Sequence, residues 1–206
     1  KALGGLLVEM QDRIAGYIRA SDGETPGEPP EDAAGFARDV LGAELPAGFD
    51  GMAPEKRAEC LRSVFGRPLR VCGVVRNEGE PGGGPFWTED GAGGVSGQIV
   101  ESAQVDMGDP IQKEIWETST HFNPVDIVCG LKDYRGKSYD LSRYSDPGAS
   151  FISRKSKEGR DLKALELPGL WNGSMAYWNT VFIEVPPGTL NTVKTVFDLL
   201  RTEHQP

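Results

Sequence analysis

Clustered cations, metal-ligand spacings, long apolar runs and catalytic signatures are all scarce in this chain, and each scarcity removes a class of function. With 22 Lys and Arg against 31 Asp and Glu, the formal charge is −9, whereas nucleic-acid binding relies on clustered cations and the release of counterions. A nucleic-acid partner is therefore not expected. Two His and three Cys, with no CxxC pair, argue against a zinc knuckle or a disulfide framework. Cys72 and Cys129 sit in apolar, strand-like runs, and all three thiols, Cys60 included, read as core. No stretch approaches the roughly 20 apolar residues of a membrane helix, and no basic-then-apolar leader is present. The expected location is the cytoplasm. Neither a Gly-x-Ser-x-Gly elbow nor a Cys–His or two-carboxylate arrangement is evident, so no self-sufficient catalytic constellation is expected. The start at Lys1, followed at once by an apolar-periodic segment, reads as a fragment of a longer chain.

What is present divides near residue 67. Leu3, Leu6, Leu7, Met10, Ile14, Tyr17 and Ile18 recur at three- and four-residue steps, the period of one buried helical face. "SDGETPGEPPED" (21–32) then reads as a mobile linker, since its Pro, Gly and acidic residues cannot form a core. Helices are predicted again in "EDAAGFARDVLGAEL" (31–45) and "APEKRAECLRSVFG" (53–66), the latter with Pro54 in its first turn. From Pro68 the pattern turns β-branched: "PLRVCGVV", "GGVSGQIVESAQV", "NPVDIVCGLKDY" and "WNTVFIEV" read as strands. The expectation is an α+β fold. Residues 1–66 form a helical segment, and 67–206 a mixed sheet flanked by helices, in which 69–75 pairs with 95–104. The long connections of this second part are where a ligand is sought.

"RNEGEPGGGPFW" (76–87) is the first of them. Its glycines do not lead into a helix with Lys and Ser or Thr, so it is neither a phosphate-binding P-loop nor a dinucleotide fingerprint. Gly82, Gly83 and Gly84 lack a Cβ and can present amides to a ligand, while Asn77 and Glu78 suit hydroxyl groups. The plainer reading is a wide turn between strands. Glu101, at a strand end with Gln104 close by, is either a binding carboxylate or a rim residue. His121, followed by Asn123, is either a satisfied structural histidine or a polar ligand contact. Arg154, Lys155 and Lys157 belong to the one dense basic cluster, which is either a solvated face or a phosphate contact. Trp171 beside Asn172 is either core or a platform for a sugar or base.

"RVCGVVRNEGEPGGGPFW", "QIVESAQVD", "THFNPVDIVCGLKDY", "FISRKSKEGRDLKALELPGLWNGSMAYWNTVFIEVP" and "TVKTVFDLLRTEHQ" together resemble the C-terminal part of a bacterial domain-of-unknown-function family, number 4301. "LRVCGVV" and "EDGAGGVSGQIVESAQ" are also similar in layout to the sugar-side segment of uridylyltransferases acting on sugar 1-phosphates. That resemblance implies a sugar contact for Glu101 and places Lys194 at a Lys of the later turn. Asn179 and Thr180 stand where those enzymes carry phosphate-binding lysines, which leaves the phosphate to Lys155 or Lys157. In that superfamily the nucleotide-holding Gly-rich loop and the magnesium-holding Asp lie N-terminal to the region matched. The resemblance thus implies half of a larger nucleotidyltransferase-like fold, inactive alone. It would have no cofactor of its own, magnesium held by residues outside this chain, and as partners a sugar phosphate or nucleotide sugar and the upstream part of its own protein. A non-enzymatic glycan or nucleotide-sugar module, and a purely structural role, are the alternatives.

Overall fold

A strand that is apolar on both faces needs cover on both, and this requirement organises the chain. The computed structural model describes residues 1–21, 29–77, 82–91, 93–169, 173–190, 193 and 195–205, with the backbone alone at Asn123, Pro124 and Glu203. Its longer helices are α1 (Ala2–Ser21), α2 (Ala33–Gly35, continuing through Phe36–Val40), α3 (Pro54–Phe65) and α4 (Pro110–Glu117). Its strands are β1 (Leu69–Arg76), β2 (Gly84–Glu89), β3 (Val95–Val100), β4 (His121–Gly130), β5 (Phe151–Lys157), β6 (Arg160–Glu166) and β7 (Asn179–Glu184). The fold is α+β, with a helical N-terminal segment laid on a mixed sheet.

β1 is the centre of that sheet, antiparallel to β4 and parallel to β7, and only its last residue is exposed. Its side chains alternate between two covers. Leu69 and Val71 join Leu7, Met10, Ile14, Tyr17 and Ile18 of α1 in one apolar core, which Val64 and Phe65 of α3 complete. The stack of Tyr17 on Phe65, at 5.3 Å between centroids, locks the two helices together. On the other side lies the β2–β3 hairpin. Asn179 ties the sheet to α3 as well, donating from Nδ2 to the Val64 carbonyl at 2.9 Å.

Two expectations need correction. The run 69–75 does not pair with 95–104, because "GPFWTE" is itself a strand: β2 takes β3 as its antiparallel partner, and β4 and β7 occupy both edges of β1. The glycine segment thus leads directly into a strand. The helix predicted over 31–45 is also shorter. It widens after Phe36, whose carbonyl accepts from Leu41 N–H, and it stops before Gly42, which adopts a positive φ of 61°. The linker 21–32 lies mostly outside the described residues. In β4 the register against β1 shifts between Gly73 and Val75, beside Pro124, which has no N–H to give to the ladder.

Separate from the sheet, β5 and β6 form a two-stranded hairpin turned by Glu158 and Gly159, both at positive φ (53° and 75°). Cys72 is fully buried, and burial pushes its thiol up to about 11. Cys60 and Cys129 are half-buried, and all three thiols are free. Among the described residues, no helix is long and apolar enough to cross a membrane.

The interaction joining the hairpin layer to the sheet is made by Arg70, only 2 % exposed. Its Nε donates to Thr180 Oγ1 of β7 (2.8 Å) and a terminal nitrogen to Gln98 Oε1 of β3 (3.1 Å), while the other terminal nitrogen meets Met175 Sδ at 3.2 Å. Arg70→Ala is expected to destabilise the fold by roughly 3 kcal/mol, through a cavity and two orphaned acceptors. Arg70→Met, which refills the volume and removes the buried charge, should recover more than half of that in urea unfolding.

Candidate functional site

The chain ends of three strands meet where β1 finishes. Arg76 faces His121 across the β1–β4 ladder, and β7 brings Glu184 alongside. Arg76 pairs with Glu184 Oε2 at 3.2 Å, and His121 Nε2 meets the same oxygen at 3.0 Å. His121 Nδ1 lies 2.9 Å from Thr120 Oγ1, so both ring nitrogens are engaged. Nε2–H is placed to donate to the carboxylate. The His121 hydrogen bond, then Arg76, holds the Glu184 carboxyl below its usual range.

Beside this network lies a cavity of about 260 Å³, lined by Asn77, Gly82, Gly83, Phe86, Ser102, Trp116, Ser119 and His121. Its wall is the stack of Phe86 on Trp116, with centroids 5.4 Å apart and planes 14° from parallel. Asn77 is held by its own N–H, which donates to the Thr120 carbonyl at 3.1 Å, and Ser119 Oγ donates to the His121 carbonyl at the same distance. Hydroxyls, an amide and glycine backbone therefore converge from segments far apart in sequence. His121 is the one titratable side chain on this wall among the described residues.

Of the residues anticipated from the sequence, the structure brings Asn77, Gly82, Gly83 and His121 together here. Gly84 serves packing instead: a Cβ on it would stand 2.7 Å from the His121 carbonyl oxygen. Glu101 and Gln104 form a reciprocal cap of the short helix Ser102–Gln104, each side chain accepting from the other's backbone N–H. That cap fixes Ser102 at the cavity. Burial raises the Glu101 carboxyl above its ordinary value, and Gln104 lines a larger cleft of about 570 Å³ between the hairpin and β7.

Arg154, Lys155 and Lys157 are exposed on β5, which packs against the Ser102–Gln104 helix but does not line the 260 Å³ cavity. Lys155 is paired with Glu166, which also accepts from Ser153 Oγ at 2.8 Å. Arg154 and Lys157 stand directly opposite Lys163 and Arg160, a like-charge arrangement that is unfavourable unless an anion joins it. Glu78, Trp171, Asn172 and Lys194, together with the Asn123 side chain, lie outside the described residues. Trp116 and Ser119 were not anticipated. Asp109-Pro110 was the available signal: Asp109 Oδ1 accepts from Ile111 N–H at 2.8 Å and starts α4, which carries Trp116 to the cavity. Among the described residues no group of His, Cys, Asp and Glu is placed to hold a metal.

Two outcomes follow. Gly84→Ala should lower the melting temperature, because the obstacle to its methyl is backbone that cannot rotate away. Glu184→Gln should also melt below the parent at pH 7. A depressed folded pKa gives stability that is complete above the unfolded carboxyl value of about 4.3 and lost as pH falls through the lower folded value. The two melting curves should therefore converge as the pH falls below the ordinary carboxyl range in a scanning fluorimetry series.

No curated protein and no solved structure matches the chain. The match to a family of domains is nearly complete, running over residues 1–205. The chain belongs to the family described as "Domain of unknown function (DUF4301)".

Proposed function

We propose that this chain is the sugar-binding part of a nucleotidyltransferase-like protein, and that the cavity beside His121 receives one sugar ring. The observation that carries this reading is the convergence of Asn77, Ser102, Ser119 and the Gly82–Gly83 backbone opposite the Phe86–Trp116 stack. Hydroxyl-rich ligands need paired donors and acceptors at their rim and a flat apolar face beneath. At about 260 Å³ the cavity is smaller than the roughly 300–1,000 Å³ of pockets for drug-sized ligands, which favours a single ring.

The sugar phosphate is assigned to the β5–β6 hairpin next door. Lys155 is neutralised by Glu166, so Arg154 and Lys157, which make no ion pair among the described residues, are the cations for it. His121, with both ring nitrogens engaged, orients the cavity wall. Nucleotidyl transfer asks mainly for positioning and charge stabilisation, and on this reading the nucleotide loop and any magnesium ligands lie in chain upstream of Lys1. Among the described residues the cavity wall carries no titratable side chain besides His121, which also favours the second reading, a non-enzymatic module for carbohydrates or nucleotide sugars. Both predict binding without turnover by this chain.

Titration calorimetry with a panel of sugar 1-phosphates, their free sugars and the matching uridine diphosphate sugars tests the reading. Binding is expected, with Gly83→Val and Asn77→Ala each weakening it by roughly tenfold or more, about 1.4 kcal/mol. Lys157→Ala should weaken the phosphorylated ligands while leaving the free sugars unchanged. If no member of the panel binds, or the cavity variants bind as the parent does, the reading fails.

A further inference from the structure

At the opposite end of β1, roughly 20 Å away by strand length, the charge balance of the chain is reversed. A cleft of about 710 Å³ opens between α1, the end of α3 and the segment following β4. Seven cations line it: Arg19 from α1, Arg62 and Arg67 around the end of α3, Lys132, Arg135 and Lys137 after β4, and Arg143. Only three carboxylates share it, in a chain whose Asp and Glu outnumber Lys and Arg by 31 to 22. Two of the three accept hydrogen bonds from their own loops. Asp133 Oδ1 accepts from the N–H groups of Arg135 and Lys137, each at 2.9 Å, and Asp140 Oδ1 accepts from Ser142 Oγ at 2.6 Å. Asp12 is the third. Arg19, Arg67, Lys132, Lys137 and Arg143 form no ion pair among the described residues.

The cleft is also built rather than incidental. Tyr139 and Tyr144 donate to the carbonyls of Arg67 (3.4 Å) and Gly66 (3.3 Å), and their rings meet edge to face at 5.7 Å. These contacts pin the segment after β4 against the end of α3 and so fix cations from distant parts of the sequence around one concavity. Burial pushes the Tyr139 phenol up to about 12. Holding this many like charges together costs energy that an anion of matching charge returns. One carboxylate would neutralise a single cation, whereas a polyphosphate group neutralises several. Of the five that form no ion pair among the described residues, Arg19, Arg67 and Arg143 are arginines, whose planar forks suit phosphate oxygens.

We infer that this cleft binds a small molecule carrying two or more phosphate charges, at a site separate from the sugar cavity and beyond the function proposed above. A nucleic acid is disfavoured because the chain's net charge of −9 opposes a long phosphate backbone. Isothermal titration of the chain with inorganic pyrophosphate, in low-salt buffer, is the direct test. The parent should bind. The double variant Lys132→Glu/Arg143→Glu, both positions exposed, should weaken binding by roughly 100-fold or more, at about tenfold for each 1.4 kcal/mol lost. Lys137→Ala should weaken it by roughly tenfold with the near-ultraviolet circular dichroism unchanged, and Gly83→Val in the other cavity should bind as the parent does. Failure of the parent to bind pyrophosphate, binding by the double variant equal to the parent's, or displacement by a single-stranded oligonucleotide at equal phosphate concentration overturns the inference.

Discussion

The architecture depends on a buried cation that has no carboxylate partner among the described residues. Arg70 sits in the middle layer between the sheet and the β2–β3 hairpin, and neutral acceptors on β7 and β3, with the Met175 sulfur, hold its guanidinium. Burial lowers its pKa from the ordinary value, yet an arginine remains charged in any protein environment. The group therefore tolerates few arrangements. The hydroxyl of Thr180 and the amide of Gln98 must both stand within hydrogen-bond reach, which sets the hairpin's position on the sheet. An apolar contact would permit sliding, but directional bonds to a buried charge do not.

That placement decides where the sugar cavity lies. With the hairpin fixed, Gly82 and Gly83 arrive beside the end of β1, and Phe86 of β2 reaches the Trp116 ring carried by α4. The Arg76–Glu184–His121 network closes the same end by joining β1, β7 and β4. Neither the cavity nor the network belongs to one segment. Each is produced by strand order, because β1 has β4 and β7 as neighbours rather than β3.

The two ends of the sheet consequently differ in kind. One presents hydroxyls, an amide and stacked rings with a single titratable group, while the other gathers seven cations around tyrosines. The β5–β6 hairpin stands apart with its own basic residues and with Ile152 and Leu165 opposed on one face, both about two-thirds exposed. In a chain of net charge −9, such segregation creates local fields of opposite sign to the whole.

Much of this was legible in the sequence because it is local. The α1 stripe, the Pro54 start of α3, the doubly apolar run of β1 and the glycine segment leading out of it follow from periodicity and from what Pro and Gly do to a backbone. The polar cavity lining was partly visible too, since Asn77, Gly82, Gly83 and His121 stood out by residue type. What the tertiary structure alone decided is partnership. Glu101 and Gln104 stood out by residue type, but only the turn of the chain makes them cap one another. Lys155 stood out as part of a basic cluster, but only β6 sets Glu166 beside it. The cationic cleft draws on residues from position 19 to position 143, so no window of sequence contains it. Short-range sterics write themselves into neighbouring residues, whereas pairing between distant charges is settled only when strand order closes the distance between them.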